Sequence, residues 1–172
     1  MGETLFAWAR ALKLRKAKAD DLDFIAQLEN RPEYLDLIYR WPREQHLASL
    51  GDPNLRYLIG EEEGAAACGF AILRGLTLPE RAIELKRVAV ATPGQGQGRA
   101  LLRAVVRLVF DELGAHRLWL DVYADNARAR AAYRGLGFVE EGALRDGALR
   151  ADGFVSPVLM SILEHEYRAG AV

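Results

Sequence analysis

The chain has 172 residues, 51% of them hydrophobic and 27% charged, which suits one soluble globular domain and excludes a disordered or fibrous chain. Lys and Arg total 23 against 24 Asp and Glu, a formal net charge of -1 without the basic excess of a nucleic-acid binder, and the longest uncharged apolar stretch, 64–73, is far too short for a membrane span. Cys68 is the only cysteine, His46, His116 and His165 lie far apart, and 1–11 carries no secretory pattern, so a cytoplasmic protein without disulfide, metal, membrane or nucleic-acid partner is expected.

Leu12 and Leu14 alternate with Lys13 and Arg15, predicting a half-exposed first strand that ends near Lys18. Asp20 is placed to cap a helix over 21–30, whose residues Leu22, Ile25, Ala26 and Leu28 keep helical spacing until Pro32. Pro32 and Pro42 suit the first turns of two further short helices, 33–39 and 43–50, ahead of the turn cluster 51–54. Residues 55–61 and 66–74 read as an antiparallel hairpin joined by Glu62-Glu63-Gly64, and 83–90 as the next strand. Arg87 falls on the face of Ile83 and Leu85, and such a break in period marks a bulge.

From 99 to 113 the apolar residues Leu101, Leu102, Val105, Val106, Val109 and Leu113 recur at helical spacing, and Gly114 ends the helix. Residues 117–123 are apolar on nearly both faces, as in a central strand paired in parallel. A helix over 126–136 closes at Gly137, and 138–143 and 155–163 read as the final strands. The predicted fold class is therefore α/β (α+β), a mixed sheet with helices on both faces. The apolar strand 158–163 is a candidate edge for pairing with a second copy, as in a homodimer.

Chemistry concentrates between the strand ending at Val90 and the helix that follows. Gly94, Gly96 and Gly98 alternate with Gln95 and Gln97 in a strand-to-helix turn, where glycines let the backbone approach an anion and the first-turn N–H groups face it. A dinucleotide-binding G-x-G-x-x-G fails, because the third glycine position holds Arg99 or Leu101. A P-loop fails for want of a following Lys, and none of Ser49, Ser156 and Ser161 stands in a G-x-S-x-G turn. Asn126 and Tyr133, seven apart, share one helix face. Taken alone they read equally as a helix cap, a place Asp125 could also take, and a core aromatic. Glu84 is a carboxylate within an apolar strand, either a partly desolvated base or a partner of Lys86 or Arg81, and Asp121 is a second carboxylate of the same kind, expected to pair with an arginine.

The order and spacing of these pieces resemble the core of the GNAT superfamily of N-acetyltransferases. The resemblance covers the strand 83–90, the loop Gly94-Gln95-Gly96-Gln97-Gly98, the helix reaching Leu101-Leu102, the strand Leu118-Trp119-Leu120-Asp121-Val122, the segment from Asp125-Asn126 to Tyr133, and Leu136-Gly137-Phe138. One departure is Pro93, standing where the family usually has Arg or Gln before the first glycine. The resemblance implies a mostly antiparallel sheet of about seven strands with a splayed central parallel pair, in a single domain over 1–172. Within it, 12–82 flanks the acceptor, 83–138 binds acetyl-CoA and 139–172 adds the last strands.

It also implies an acetyl-CoA-dependent acyltransferase acting on an amine by direct attack, with Tyr133 as general acid and Glu84 as general base. The CoA contacts it implies are Val88, Ala89, Val90, Gln95, Gly96, Gln97, Gly98, Arg99, Ala100, Asn126, Ala129 and Tyr133, with Arg103 and Arg107 as outer candidates. The acceptor is left open between a protein N-terminus or lysine and a small amine such as an aminoglycoside, a polyamine or an amino-acid analogue. The non-catalytic alternative is an acyl-CoA-sensing module of the same fold. The segments 21–50, with Tyr34, Tyr39, Trp41, Asp36 and Glu44, and 147–156 are expected to flank the acceptor.

Overall fold

The computed structural model describes residues 12–62 and 66–170, so most of the predicted turn at Glu62-Glu63-Gly64 and the start at 1–11 lie outside the described residues. In chain order, β1 (Leu12–Lys16) leads through a 3₁₀ turn (Ala19–Asp21) into α1 (Leu22–Glu29) and α2 (Arg43–Ser49). Then come β2 (Leu55–Glu62), β3 (Ala67–Arg74), β4 (Ala82–Val90) and α3 (Gln97–Arg107), whose end unwinds into a π-helical turn (Leu108–Glu112). The chain finishes with β5 (Arg117–Val122), α4 (Ala127–Arg134), β6 (Val139–Ala143), β7 (Ala148–Arg150), β8 (Gly153–Val155), β9 (Val158–Leu163) and α5 (Glu164–Arg168).

The main sheet has seven strands in the order β1-β2-β3-β4-β5-β9-β6, and every pairing is antiparallel except β4 with β5. Each face carries its own core. On one face Leu101, Leu102, Val105, Val106 and Val109 of the α3 segment are buried against Leu73, Leu85 and Leu118. Burial of each such side chain contributes about 1.5–3 kcal/mol. On the other face α1 sets Leu22, Ile25 and Leu28 over Tyr57, Ile59, Phe70 and Ile72.

The bulge expected near Arg87 is present. Ile72 pairs with Arg87 but Leu73 with Leu85, so Lys86 is the extra residue of β4. Its insertion exchanges the faces: Ile83 and Leu85 lie in the α3 core, whereas Ala89 lies in the α1 core.

Several sequence expectations are corrected. Asp21, not Asp20, stabilises the start of the first helix: its carboxylate accepts the Lys18 N–H at 2.7 Å and is held by Arg15 at 2.7 Å. Residues 33–39 form turns rather than a helix. Tyr34 N–H bonds the Arg31 carbonyl and Leu37 and Ile38 bond that of Tyr34, but the pattern stops there, in a segment too short to sustain a helix unaided. The 147–156 loop contains the β7-β8 hairpin, and α5 follows the last strand, neither of which was anticipated.

The final strand is not an edge. β9 lies between β5 and β6: it pairs with β5 over Arg117 to Val122 along the edge of β5 opposite β4. The edge on that side is β6, blunted by Glu140, Glu141 and a register shift between Glu140 and Gly142, features that oppose pairing with a further strand.

Candidate active site

The parallel pair that organises the centre is short. β4 and β5 keep register only at Ala82↔Arg117, Ile83↔Leu118 and Glu84↔Trp119, and beyond these they splay apart. The gap opens into a cavity of about 370 Å³ whose walls are β4 from Leu85 to Val90, the glycine loop, the end of β5 and the inner face of α4.

Backbone direction along β4 determines what the gap presents. Ala91 donates to the Cys68 carbonyl of β3 at 2.7 Å, whereas Val90 turns its N–H and C=O the other way, both to the Tyr34 hydroxyl, at 3.0 and 2.9 Å. Strand polar groups alternate in direction, and the pairing runs unbroken from Gly69↔Val90 to Ala71↔Val88, so Val88 also faces away from β3, into the gap. The Val90 amide, implied as a contact for the pantetheine arm, is thus engaged by Tyr34. Arg31 adds a bond to the Ala91 carbonyl and fixes the same turn segment to the strand end.

Gly94 and Gly96 both sit at φ 85°, in the left-handed region that favours glycine, and nothing lies within 4 Å of where a Cβ would stand on either. Their role is conformational: Gly96 caps α3, and the first intrahelical bond runs from Ala100 N–H to the Gly96 carbonyl at 3.0 Å. The N–H groups of Gln97, Gly98 and Arg99 precede that bond and remain outside the helical ladder at its positive end.

The side chains of the loop have other tasks. Gln97 accepts from Thr92 N–H and donates to Glu62, both at 2.9 Å, which ties the loop to β2. Gln95, Gln97 and Ala100 are not in the cavity wall, whereas Pro93, Gly94, Gly96, Gly98 and Arg99 are. Arg99 reaches the Gly135 carbonyl at 3.4 Å. Arg103 and Arg107 lie away from the cavity.

On α4, Asn126, Ala129 and Tyr133 all line the cavity, as their common helix face requires. Asn126 is the helix cap, its Oδ1 accepting from Ala129 N–H at 3.2 Å, which leaves its NH₂ group as the free donor; Asp125 instead pairs with Arg150 at 2.8 Å. Tyr133 is 7% exposed and packs on Phe138, and its hydroxyl makes no hydrogen bond among the described residues. Burial, and secondarily the charge of Asp121, holds its phenol well above the usual tyrosine range, so it stays protonated.

Glu84 is not brought into the cavity. It is 3% exposed, accepts from Arg74 Nε at 2.5 Å and stands 3.5 Å from Lys86 Nζ. Asp121 is the one carboxylate in the wall, and no arginine pairs with it among the described residues.

Sequence reasoning missed Arg87, Arg128 and Tyr123 as wall residues, whereas Tyr34 and Tyr39, expected to flank the acceptor, are in the wall. The available signal for Arg87 was its break in strand period.

A second cavity of about 810 Å³ adjoins the first through Ile38, Tyr39 and Tyr123. Its walls are Asn30, Asp36, Arg40 and Trp41 on one side and Asp125 with Leu149 to Asp152 of the β7-β8 hairpin on the other, the two segments expected to flank an acceptor. Glu44 does not reach it. Among the described residues no helix is long and apolar enough to cross a membrane.

Residues 19–138 match the Acetyltransferase (GNAT) family. The spermidine N(1)-acetyltransferase of Escherichia coli K12 is 28% identical over 170 residues, covering 94% of this chain and 90% of that protein. The [ribosomal protein bS18]-alanine N-acetyltransferase of the same organism is 32% identical over 127 residues, 72% of this chain and 81% of that one. Among solved structures, spermidine N-acetyltransferase from Vibrio cholerae in complex with CoA and spermine superposes with a TM-score of 0.81 at 25% identity, over 92% of this chain and 98% of the other.

Proposed function

The chain belongs to the GNAT family of acetyl-CoA-dependent N-acetyltransferases, and we propose that the splayed β4-β5 gap is where a primary amine attacks the acetyl thioester directly. The observation that carries this reading is the convergence of three groups on one cavity: the gap-facing backbone of Val88, the protonated Tyr133 phenol and the unpaired carboxylate of Asp121. A non-catalytic acyl-CoA sensor needs none of the last two.

Acetyl-CoA fits the residues present. Its pyrophosphate would lie on the free N–H groups of Gln97, Gly98 and Arg99, with Arg128 across the mouth on α4. The pantetheine arm would run along β4, displacing the Tyr34 hydroxyl from Val90 and taking the Asn126 amide on the other side. The N–H of Val88 would meet the thioester oxygen, where negative charge develops as the amine adds.

The amine enters through the second cavity. Asp36 and Asp152 stand there, Asp125 being taken by Arg150, and attract an ammonium ion, which must lose a proton before it can attack because an alkyl ammonium has a pKa of about 10. Asp121 receives that proton in place of Glu84. The new C–N bond forms, the C–S bond breaks with its electron pair leaving on sulfur, Tyr133 hands its phenolic proton to the departing thiolate, and the phenolate regains a proton from the nitrogen of the new C–N bond, which leaves a neutral amide.

A thiol-release assay with acetyl-CoA and a panel of peptides, lysine, aminoglycosides and polyamines tests this reading, with CoA binding titrated on the same sample. Amine-dependent release is expected. CoA binding without release for every amine would favour a sensor.

A further inference from the structure

The bulge at Lys86 turns Arg87 onto the face covered by α1, where it is 5% exposed. Its Nη1 donates to Glu29 Oε1 at 3.2 Å, Glu29 Oε2 stands 3.2 Å from His46 Nε2, and His46 Nδ1 stands 3.1 Å from the Tyr57 hydroxyl. Glu29, His46 and Tyr57 are all buried, and the Trp41 ring lies 4.4 Å from the centre of the Arg87 guanidinium.

This chain of contacts holds the guanidinium in place and leaves one of its buried atoms without a partner. Arg87 Nη2 is buried and has no hydrogen-bond partner; among the described residues no other buried side-chain nitrogen or oxygen is left so. An unsatisfied donor on a buried cation is costly, and an oxygen supplied by a ligand recovers that cost. Arg87 belongs to the wall of the cavity and directly precedes Val88, on the side from which an acceptor approaches through Tyr39 and Trp41.

We propose that Arg87 determines acceptor specificity: its free N–H donates to a carbonyl or carboxylate oxygen on the carbon beside the attacking amine. The acceptor is then an α-amino compound, an amino-acid derivative or a polypeptide N-terminus, rather than a plain polyamine, which has no oxygen to offer. The inference rests on the reading above, that the amine attacks acetyl-CoA in this cavity. Burial lowers the guanidinium pKa and Glu29 opposes the change, so the site holds the cation at a desolvation cost that Glu29 only partly offsets.

The test removes the oxygen from the substrate, so it does not depend on whether a variant folds. Alaninamide and 2-aminopropane differ at the carbonyl-bearing position, and kcat/KM is referred to the unprotonated amine because an α-amino group titrates near about 8 and an alkylamine near about 10. The expected preference for alaninamide is about 10–100-fold, the range for one hydrogen bond to a charged group. In Arg87→Lys, which keeps the charge but loses the second N–H arm, the ratio falls below about 3-fold.

Free alanine and an alanyl tripeptide amide in the same panel separate an amino-acid acceptor from a polypeptide N-terminus; activity on either, above 2-aminopropane, supports the inference. Spermidine or 2-aminopropane matching alaninamide on the free-amine scale would overturn it while leaving the acetyltransferase reading intact. Absence of transfer to every amine, with CoA bound, would contradict that reading and this inference together.

Discussion

The Tyr34 hydroxyl accepts the Val90 N–H at 3.0 Å and donates to the Val90 carbonyl at 2.9 Å, and both residues are buried. Tyr34→Phe therefore strands one donor and one acceptor of a strand end that β5 has already left. A buried unpaired polar group costs about 1–3 kcal/mol, and the apolar ring that replaces the phenol offsets part of the sum, so a net loss of roughly 2–3 kcal/mol is expected. For a domain of this length each kcal/mol moves Tm by about 2–4 °C, which predicts a drop of about 4–12 °C in the ligand-free protein.

The same substitution acts oppositely on the donor substrate. If the pantetheine arm takes the Val90 groups, wild-type protein must first release two hydrogen bonds that the variant lacks. CoA should then bind Tyr34→Phe about 5–30-fold more tightly, equivalent to about 1–2 kcal/mol. Thermal scans with and without saturating CoA, together with a calorimetric titration, measure both effects. A Tm within about 1 °C of wild type with an unchanged Kd would refute the claim that Tyr34 holds Val90 and stands in the path of the arm.

Further expectations concern the carboxylates. Asp121→Asn should lower kcat/KM by about 10²–10³ at neutral pH, in the range general base catalysis supplies, and the deficit should shrink for amines already unprotonated at the assay pH. Glu84→Gln should change kcat by less than about 3-fold, because Glu84 lies between Arg74 and Lys86 outside the cavity; a loss beyond about 100-fold would return it to the role of base. Glu141 is held down to about 2 by Arg117, with Ser161 assisting. Its folded-state value lies below its unfolded one, so its stabilisation is present above about pH 4.5 and is lost as pH falls through about 2. Glu141→Gln should thus cost only about 0.2–1 kcal/mol at pH 7, as for other solvent-screened pairs, and the difference from wild type in acid unfolding should vanish by about pH 2.

Much of this was legible in the residues because local rules and tertiary structure agree there. The α3 stripe from Leu101 to Val109, the alternating glycines and the spacing of Asn126 to Tyr133 are periodic features, and each was found where its period put it. The bulge was legible as a fault in alternation at Arg87, although its consequence was not: strand period shows that a side chain changes face, not that Glu29 and His46 wait on that face.

Other departures from the sequence reading have tertiary causes. Glu84 and Asp121 look alike in sequence, each a carboxylate in an apolar strand. Only the divergence of β4 from β5 after Glu84↔Trp119 leaves the first beside Arg74 and puts the second at the open end of the gap. β9 looked like an edge because its apolar run is as compatible with an exposed strand as with one covered on both sides, and strand order is a property of the whole sheet. Segment 33–39 follows a proline suited to a first helical turn, yet the attachments of Arg31 to Ala91 and Tyr34 to Val90 shape it as turns.

The most direct test of the mechanism is Tyr133→Phe, which removes the phenolic proton donor and leaves the ring on Phe138. The account predicts a fall in kcat of about 10²–10⁴ with CoA Kd changed by less than about 3-fold, since the hydroxyl is needed only as the thiolate departs. Equal losses in kcat and CoA affinity would make Tyr133 a packing residue and contradict proton donation from α4.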